Sequence, residues 1–395
     1  MHGAFATGVQ DIRTVTLPET AEDLADELRR QAVHDRTILL EGNGSKRQMA
    51  GPVEDADESI STARLNRVLN YEPNDLTISL EAGVSWQSLT ALLAQNRQMI
   101  PLDPPFARGA TVGGVVAANC SGPRRRLYGT ARDLVIGMHF ATLTGKVVHS
   151  GGMVVKNVAG LDMAKLMIGS FGTLAAIAVV NFKLVPMPEV ERTFLAPFAS
   201  AAEAMAARDR ILASGLQPAA LDLLNPAVGK TVADEVWMLA MRASGNQAAV
   251  ERSQREADLR DALVLEGAEH RSLWNQLEEF TPDFMAGHPN GAVVRASCTL
   301  KELESVAASF EGPVIARAGS GVCYGYFEQA SATAAWIEAA ARNNWKAVIE
   351  FASNQDKPGL NLWPSVGGDF EIMKRVKRLF DPGDVLNRGR LYRLI

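Results

Sequence analysis

The apolar residues near the start of the chain fall into helical and strand patterns in turn. A helical pattern begins after Thr20, which with Asp23 offers a capping box, and its apolar face carries Leu24, Ala25, Leu28 and Ala32. Residues 37–41 form an apolar run typical of a strand, and residues 75–80 alternate as a half-buried strand would. Ser85 predicts the start of a second helix that turns inward Trp86, Leu89, Leu92 and Leu93.

The patterns that follow predict a small sheet and a short helix. Residues 134–142 and 146–149 are two expected strands, joined by a tight turn at Thr144-Gly145. Asp162 is placed to cap a helix whose apolar residues are Met163, Leu166 and Met167. A further strand over residues 174–184 is stopped by Pro186.

The composition of the sequence and its pattern of predicted elements change after about residue 190. Helices rich in Ala, Arg and Glu are predicted over 201–213 and 247–263, and short strands such as 236–240 and 291–296 alternate with them. Antiparallel strands with helices on one face make an α+β unit, and no internal repeat is visible. The tail is expected to pack back on the N-terminal part, because its apolar residues, including Trp363 and Phe380, need a core. We therefore expect three parts, over residues 1–189, 190–350 and 351–395.

A glycine-rich loop, Gly42-Asn43-Gly44-Ser45-Lys46, follows the first long predicted strand. Successive N–H groups around glycines form a concave nest, and the serine and lysine add a hydroxyl donor and a positive charge that suit a pyrophosphate. The loop is not a Rossmann fingerprint, because the third glycine is missing and Pro52 interrupts any long helix after it. It also lacks the upstream glycine of a Walker A loop. Standing alone, it would be an ordinary strand-ending turn.

Small residues dominate the stretch from Leu102 to Gly122, with little that is bulky after Phe106. Glycines there allow backbone N–H groups to approach a large ligand closely. A core strand would be rich in valine and isoleucine throughout. The alternative interpretation is a small-residue turn packed against a helix.

Four ordered blocks of sequence resemble the PCMH-type flavin domain of the vanillyl-alcohol-oxidase class of FAD enzymes, in the branch that holds D-lactate dehydrogenases and glycolate oxidase. The blocks are Thr111–Gly114 with Asn119–Gly122, Tyr128-Gly129 with Asp133, Lys156–Gly160, and Gly169–Leu174. The pattern over residues 379–392 is most similar to the closing pattern of FAD-binding subunits of bacterial glycolate oxidases. The resemblance covers nearly the whole chain and is weakest between residues 190 and 346. It implies an α+β fold, with a two-part FAD-binding domain, a ferredoxin-like α+β cap and a C-terminal segment that returns to the flavin domain.

The resemblance also implies the cofactor and its binding residues. FAD is expected to be held non-covalently, because residues 42–46 include no histidine or cysteine that could bond to the flavin. The positions that match the family's cofactor-binding pattern are Gly42, Asn43, Gly44, Ser45, Lys46, Leu102, Asp103, Thr111, Gly113, Gly114, Asn119, Ser121, Gly122, Tyr128, Gly129, Gly172 and Ile177. Phe171 stands where the family commonly has glutamate, a change that backbone contacts to the cofactor would survive.

Composition excludes several other classes of protein. Lys and Arg number 40 against 45 Asp and Glu, giving a net charge of −5, and no basic tail is present to draw the chain to nucleic acid. Cys120, Cys298 and Cys323 are too few and too scattered for a disulfide framework, a zinc site or an iron–sulfur cluster. No apolar run is long enough to span a bilayer, and residues 1–10 lack the pattern of a secretory signal. We expect a cytoplasmic protein that reaches the inner membrane only through partners.

The sequence does not reveal a catalytic base. Catalytic members of the resembled family carry the cap-domain pattern Gly-His-x-Gly-Asp-Gly-Asn-x-His, whereas the corresponding stretch here, Arg317–Gly325, keeps glycines and has neither histidine. None of the six histidines pairs with another at metal-ligand spacing, so no metal site is predicted. Lys156 is equally suited to hold negative charge on a reduced flavin or to contact substrate. The run Arg124-Arg125-Arg126 fits an anion clamp or a partner surface, although such short basic runs are usually solvated.

Three functions follow from this resemblance. The first is the FAD-binding subunit of a glycolate oxidase or similar 2-hydroxy-acid oxidase, depending on a second flavoprotein to oxidise the acid and on an iron–sulfur subunit to carry electrons away. The second is a free-standing FAD-dependent D-lactate or 2-hydroxy-acid dehydrogenase with an unrecognised base. The third is a flavin-fold scaffold without FAD, which the intact glycine loops disfavour.

Overall fold

Four sheets, of three, five, two and eight strands, organise the chain in the computed structural model, which describes residues 15–53, 56–153, 161–363 and 366–395. The family block Lys156–Gly160 and the N-terminal stretch over residues 1–10 lie outside the described residues. The main apolar core is continuous across the two halves of the fold, since it joins Leu80 and Val116 to Trp274 and Phe351.

The first sheet is parallel, and one helix crosses between its first two strands. Thr20 caps this helix by accepting a hydrogen bond from the Asp23 N–H at 3.0 Å, as expected. Leu24 and Leu28 of the helix are fully buried against Ile38. The elements are β1 Val15–Thr16, α1 Ala21–Val33, β2 Ile38–Glu41 and β3 Glu58–Ser61, in the sheet order β1-β3-β2.

The second sheet is antiparallel, in the order β4-β5-β9-β7-β8, and β6 pairs with β10 beside it. The five strands of this sheet are β4 Val68–Glu72, β5 Thr77–Glu81, β7 Val135–Ala141, β8 Val147–Gly151 and β9 Ala176–Lys183, and the separate pair is β6 Gln98–Met99 and β10 Val185–Pro186. The accompanying helices are α2 Trp86–Ala94, α3 Val112–Ala117, α4 Arg125–Tyr128, α5 Ala131–Leu134 and α6 Ala164–Met167. Ser85 caps α2 as expected, and the two strands joined at Gly145 are confirmed.

Two local predictions in this region are wrong. The strand β5 is buried on both faces rather than half-buried, because β4 and β9 flank it and its polar residues are covered as well. Asp162 does not cap α6, since the residue before the helix is Met163 and its first turn has no side-chain cap. Leu166 is 41% exposed, so the apolar face of this helix is narrower than its sequence indicates.

The cap is one antiparallel sheet of eight strands. Its first half contains β11 Val190–Phe198, α7 Ala201–Ala213, β12 Ala220–Leu224, α8 Pro226–Val232, β13 Trp237–Gly245, α9 Gln247–Glu256 and β14 Leu263–Leu265. Two helices, α10 Gly267–Glu278 and α11 Phe280–Gly287, separate it from the second half. The second half contains β15 Ala292–Ser297, α12 Leu303–Ala308, β16 Val314–Arg317, β17 Val322–Phe327, α13 Thr333–Arg342 and β18 Lys346–Ala352.

The second half of the cap has the β-α-β-β-α-β order of a ferredoxin-like unit, and the first half has the same order with the extra helix α8 between its second and third strands. The strand orders are β14-β11-β13-β12 and β16-β17-β15-β18, so the second strands of the two units pair edge to edge. Asp222 on β12 faces Arg317 on β16 at this seam. The predicted ferredoxin-like cap is therefore confirmed. It consists of two such units, an internal repeat that was not visible in the sequence.

The helix predicted over 247–263 ends early, at Glu256. Asp258 and Asp261 adopt positive φ values of 46° and 55°, which short polar side chains tolerate, and the chain turns there into β14. Apolar content alone did not mark this turn.

The C-terminal segment returns to the N-terminal part, as expected. Its helix, α14 Phe370–Phe380, carries Lys377, whose buried Nζ donates to the carbonyls of Thr173 and Leu386 at 3.0 Å and pairs with Asp381 at 2.7 Å. Asn387 then bonds both the N–H and the carbonyl of Leu40, at 2.7 and 3.0 Å. Phe380 packs on the main core, whereas Trp363 packs on the cap core and on Tyr392. The domain boundaries at residues 189 and 350 stay predictions.

Candidate functional site

A cavity lies between the loop after β2 and the helix α3. The structure brings to it a large group of the residues singled out in the sequence, namely Gly42, Asn43, Gly44, Ser45, Lys46, Thr111, Gly113, Gly114, Gly172 and Ile177. No histidine, cysteine or tyrosine is among its described lining residues. We call it the first cavity.

The loop at one end of the first cavity combines a glycine in the left-handed conformation with a buried cation. Gly44 has a φ of +70°, a conformation that side chains other than glycine rarely adopt. Lys46 is buried, and burial lowers the pKa of its ammonium group. A buried ammonium group is stabilised when an anionic ligand binds beside it.

The helix α3 forms a wall of this cavity, and its two glycines, Gly113 and Gly114, have different surroundings. A Cβ on Gly113 would lie 2.7 Å from the Cβ of Ala82, so this glycine serves close packing between α3 and the chain after β5. A Cβ on Gly114 would meet only the Thr111 hydroxyl, at 3.2 Å, and would otherwise point into open space. Gly113 therefore allows another part of the protein to approach α3 closely, whereas Gly114 leaves open space in the cavity.

A second cavity adjoins the first, and Ala118 and Phe171 line both. It lies where the glycine-rich stretch faces the cap. From the predicted set it is lined by Asp103, Asn119, Ser121 and Gly122. Leu102, Tyr128 and Gly129 line neither cavity: Leu102 is in the core and Gly129 packs on Asp133. Their assignment to the cofactor stays a prediction.

The cap side of the second cavity is charged. Arg295 on β15 donates to Glu350 on β18 at 2.9 Å. Arg317 on β16 is bonded to Asp222 and lies 5.7 Å from the ring centroid of Tyr324 on β17. These groups come from strands that are adjacent in the cap sheet, so the sheet holds them in fixed relative positions.

Two buried polar atoms lining the second cavity have no hydrogen-bond partner. They are the Nε of Arg317, a donor, and the Oδ1 of Asn119, an acceptor. Buried polar atoms are rarely left without partners, because each costs about 1–3 kcal/mol. The pair marks a place for a polar ligand with both accepting and donating groups.

The remaining titratable groups of the second cavity differ in protonation. Burial raises the pKa of Tyr324 to about 12 and that of Cys120 to about 11, so both stay protonated at neutral pH. Burial also raises the pKa of Glu350, although Arg295 opposes the shift. The pKa of Glu278 is raised to about 8, by burial first and then by the charge of Asp103.

Sequence reasoning missed most of the charged residues at the cavities. Arg295 and Glu350 each interrupt an apolar strand, and a charge inside such a strand was the available signal. Asn387 and Arg390 line the first cavity, and their signal was the closing pattern in which they lie. Of the arginine run, Arg124 pairs with Asp103 at 3.0 Å, whereas Arg125 is exposed at the edge of the second cavity.

Comparison with known families identifies the class of protein that this fold and these cavities define. Residues 12–151 match the FAD binding domain family, and residues 187–352 and 366–391 match the C-terminal domain of FAD linked oxidases. The chain belongs to the FAD-linked oxidase family. It is thus an oxidoreductase whose cofactor is FAD.

Particular relatives narrow the comparison. Glycolate oxidase subunit GlcE of Escherichia coli is 36% identical over 160 residues, which are 40% of this chain and 45% of that subunit. The match thus spans less than half of the subunit's length. A mitochondrial D-lactate dehydrogenase [cytochrome] of Arabidopsis thaliana is 26% identical over 98% of this chain and 74% of its own length. An uncharacterized FAD-linked oxidoreductase of Mycobacterium tuberculosis is 28% identical over 95% of this chain and 90% of its own.

Solved structures show the same fold at low identity. A 4-ethylphenol oxidase from Gulosibacter chungangensis superposes with a TM-score of 0.70 over 97% of this chain and 90% of its own, at 15% identity. An alkyldihydroxyacetonephosphate synthase superposes with a TM-score of 0.70 over 94% of this chain and 76% of its own, at 19% identity.

The residues present fit FAD. A buried lysine and a positive-φ glycine at one end of the first cavity suit its pyrophosphate, and the unpartnered Asn119 amide oxygen lies in the adjoining cavity. Among the described residues, no cluster of three or more His, Cys, Asp or Glu is arranged to hold a metal ion. The same part of the chain contains no helix that is both long enough and apolar enough to cross a membrane.

Proposed function

We propose that the chain is the FAD-binding subunit of a 2-hydroxy-acid oxidase of the glycolate oxidase type and that it oxidises the acid in its own second cavity. Support comes from relatives named as glycolate oxidase subunits and D-lactate dehydrogenases. The observation that carries the proposal is Arg317, a cation that lines the second cavity and whose buried Nε has no hydrogen-bond partner although its Nη1 is bonded to Asp222. A small carboxylate matches such a donor in both charge and hydrogen bonding.

The cofactor would be held mainly by this chain's backbone. Residues 42–46 would cradle the pyrophosphate, Thr111 to Gly114 would flank the middle of the cofactor, and Asn119 to Gly122 would face the flavin ring, without a covalent bond. FAD, when bound, supplies the acceptor for two electrons and the hydrogen that leave the substrate carbon.

The side chains of the second cavity would bind and orient the acid. Arg317 would donate to the substrate carboxylate, with the positive charge of Arg295 nearby. Tyr324 stays protonated over the physiological range and would donate a hydrogen bond. The surrounding cap strands would exclude bulk water and so strengthen these interactions.

The test is anaerobic mixing of the purified chain with glycolate or D-lactate, followed by the flavin absorbance. Bleaching is expected with both acids and not with propionate, which has the carboxylate but no hydroxyl. Failure of both acids to bleach the flavin of the isolated chain would refute oxidation in its own second cavity, and failure in any assembly as well would refute the whole proposed function.

The division of labour predicted from the sequence is the second candidate. The segment Arg317–Gly325 has no histidine, which favours a partner flavoprotein as the site of oxidation. In that case the isolated chain would stay oxidised, and only an assembly containing the partner and an iron–sulfur subunit would turn over. Cytoplasmic location and docking at the inner membrane through such partners stay predictions.

A further inference from the structure

One carboxyl group that lines the second cavity accepts no hydrogen bond from the described part of the chain. Three carboxylates line this cavity: Asp103, Glu278 and Glu350. Asp103 accepts two hydrogen bonds from Arg124, at 3.0 and 3.2 Å, and Glu350 accepts one from Arg295 at 2.9 Å. Within the described part of the chain, Glu278 accepts none. Both oxygens of Glu278 are therefore free to accept hydrogen bonds from a ligand.

Glu278 also lies where its charge is weakly balanced. The nearest cation is Arg242 on β13, whose Nη1 is 3.8 Å from the Glu278 Oε1. That guanidinium is already engaged, since it gives two hydrogen bonds to Glu191, at 2.9 and 3.1 Å. The side chain of Glu278 is 20% exposed.

The groups around Glu278 come from both halves of the fold. Asp103, from the glycine-rich stretch, disfavours ionisation, whereas Arg124, Arg242 and Arg317 favour it. Burial has the largest effect, and the net result is a pKa of about 8 for this carboxyl group. An acid of that strength exchanges its proton close to neutral pH, as a general base must.

The other two carboxylates of the cavity, Asp103 and Glu350, are each held by an arginine, and the remaining titratable groups are unsuited to accept a proton. Tyr324 and Cys120 are protonated and therefore donors, and burial together with the neighbouring charge of Glu350 holds the pKa of Tyr324 high. Arg295 and Arg317 are cations. The family's histidines are absent from the corresponding stretch.

We propose that Glu278 is the proton acceptor for substrate oxidation, an inference that rests on the proposed function. The hydroxyl O–H bond of the 2-hydroxy acid breaks and its proton passes to a carboxylate oxygen of Glu278. The C–H bond at the same carbon would break as the carbon–oxygen double bond forms, and FAD, when bound, would supply the acceptor for its hydrogen and electron pair. Glu278 lies at the end of α10, between the two ferredoxin-like units, so the insertion between the repeats supplies the base.

The decisive variant is Glu278→Gln, with Glu269→Gln as its matched control. Glu269 lies on the same helix and faces solvent. Flavin reduction by D-lactate or glycolate is expected to slow by about 10²- to 10⁴-fold in Glu278→Gln and to be unchanged in the control. In the wild-type chain the reduction rate should rise with pH through about 8, because only the ionised carboxylate accepts a proton.

A binding measurement tests the same group without turnover. Oxalate carries the carboxylate but cannot be oxidised in this way. Its dissociation constant for the wild-type flavoprotein should increase as pH rises from about 7 to 9, since ionised Glu278 repels a dianion, and Glu278→Gln should abolish this dependence.

The outcomes separate the two proposals. Equal reduction rates for wild type and Glu278→Gln, or an identical pH dependence of oxalate binding in both, would overturn the role of Glu278 while leaving the proposed function intact. Absence of oxalate binding to the wild type would also overturn that role. A wild-type flavin that no 2-hydroxy acid reduces, alone or in an assembly, would instead overturn the proposed function.

Discussion

Replacing Gly114 distinguishes a glycine kept for a ligand from one kept for the fold. In Gly114→Ala the new Cβ would meet only the Thr111 hydroxyl at 3.2 Å. Alanine is favoured over glycine inside a helix by about 0.5–1 kcal/mol, so the apoprotein should be as stable as the wild type or slightly more so. The affinity for FAD should fall at the same time.

The size of that fall follows from the volume that FAD would lose. Forcing an extra methyl group into a packed contact costs about 1–3 kcal/mol, which corresponds to about a 5- to 150-fold increase in the dissociation constant. Gly114→Val adds two further carbons at the same point and should prevent FAD retention altogether, while the cap remains folded.

The assay combines FAD titration of the deflavinated protein with its urea unfolding curve. Gly113→Ala is the matched control on the same helix, because its Cβ would lie 2.7 Å from the Cβ of Ala82 and 3.1 Å from the Ala82 carbonyl oxygen. It should lower the unfolding midpoint of the apoprotein. If Gly114→Val keeps FAD at wild-type occupancy, the placement of the cofactor along α3 is wrong.

Three further predictions concern the anion loop, the C-terminal segment and the antiparallel sheet. Gly44→Glu should weaken FAD more than Gly44→Ala does, and added salt should narrow the difference, because a carboxylate would repel the pyrophosphate; equal effects at low and high salt would contradict the electrostatic part. Lys377→Met should destabilise the fold by about 3–5 kcal/mol in urea unfolding, since it removes the cation paired with the buried carboxylate of Asp381, whereas Lys374→Met, at a partly exposed position of the same helix, should change stability little. Burial and the stacked His149 lower the pKa of His139, so the folded state binds fewer protons than the unfolded chain. The free energy of unfolding should therefore fall as pH drops through about 6.5. The variant His139→Phe should flatten this pH dependence of the urea unfolding midpoint.

The sequence alone indicated the parts of the first cavity that are lined mainly by backbone. The loop over residues 42–46 and the stretch from Thr111 to Gly114 depend on small residues next to one another, and such local patterns survive in a single sequence. The capped helices beginning after Thr20 and Ser85 were equally local.

The charged residues of the second cavity were hidden for a physical reason. Arg295 and Glu350 come from separate strands, and Glu278 comes from a helix outside both ferredoxin-like units. Their proximity is a property of the sheet order, which no spacing along the chain records. The repeat of the cap was hidden in the same way, because the two units share a topology of strands and helices rather than a pattern of residues.

The pairing of the C-terminal segment with the first strands has a consequence for the timing of cofactor uptake. The guanidinium of Arg390 donates to the carbonyl of Lys46 at 2.8 Å, across 344 residues of sequence, and Arg390 also lines the first cavity. At synthesis rates of roughly 5–20 residues per second, the anion loop exists for roughly 20–70 s before the residue that completes its surroundings is made. FAD is therefore expected to be captured only after that stretch has been translated, and chains interrupted upstream of Arg390 would leave the ribosome without the means to hold it.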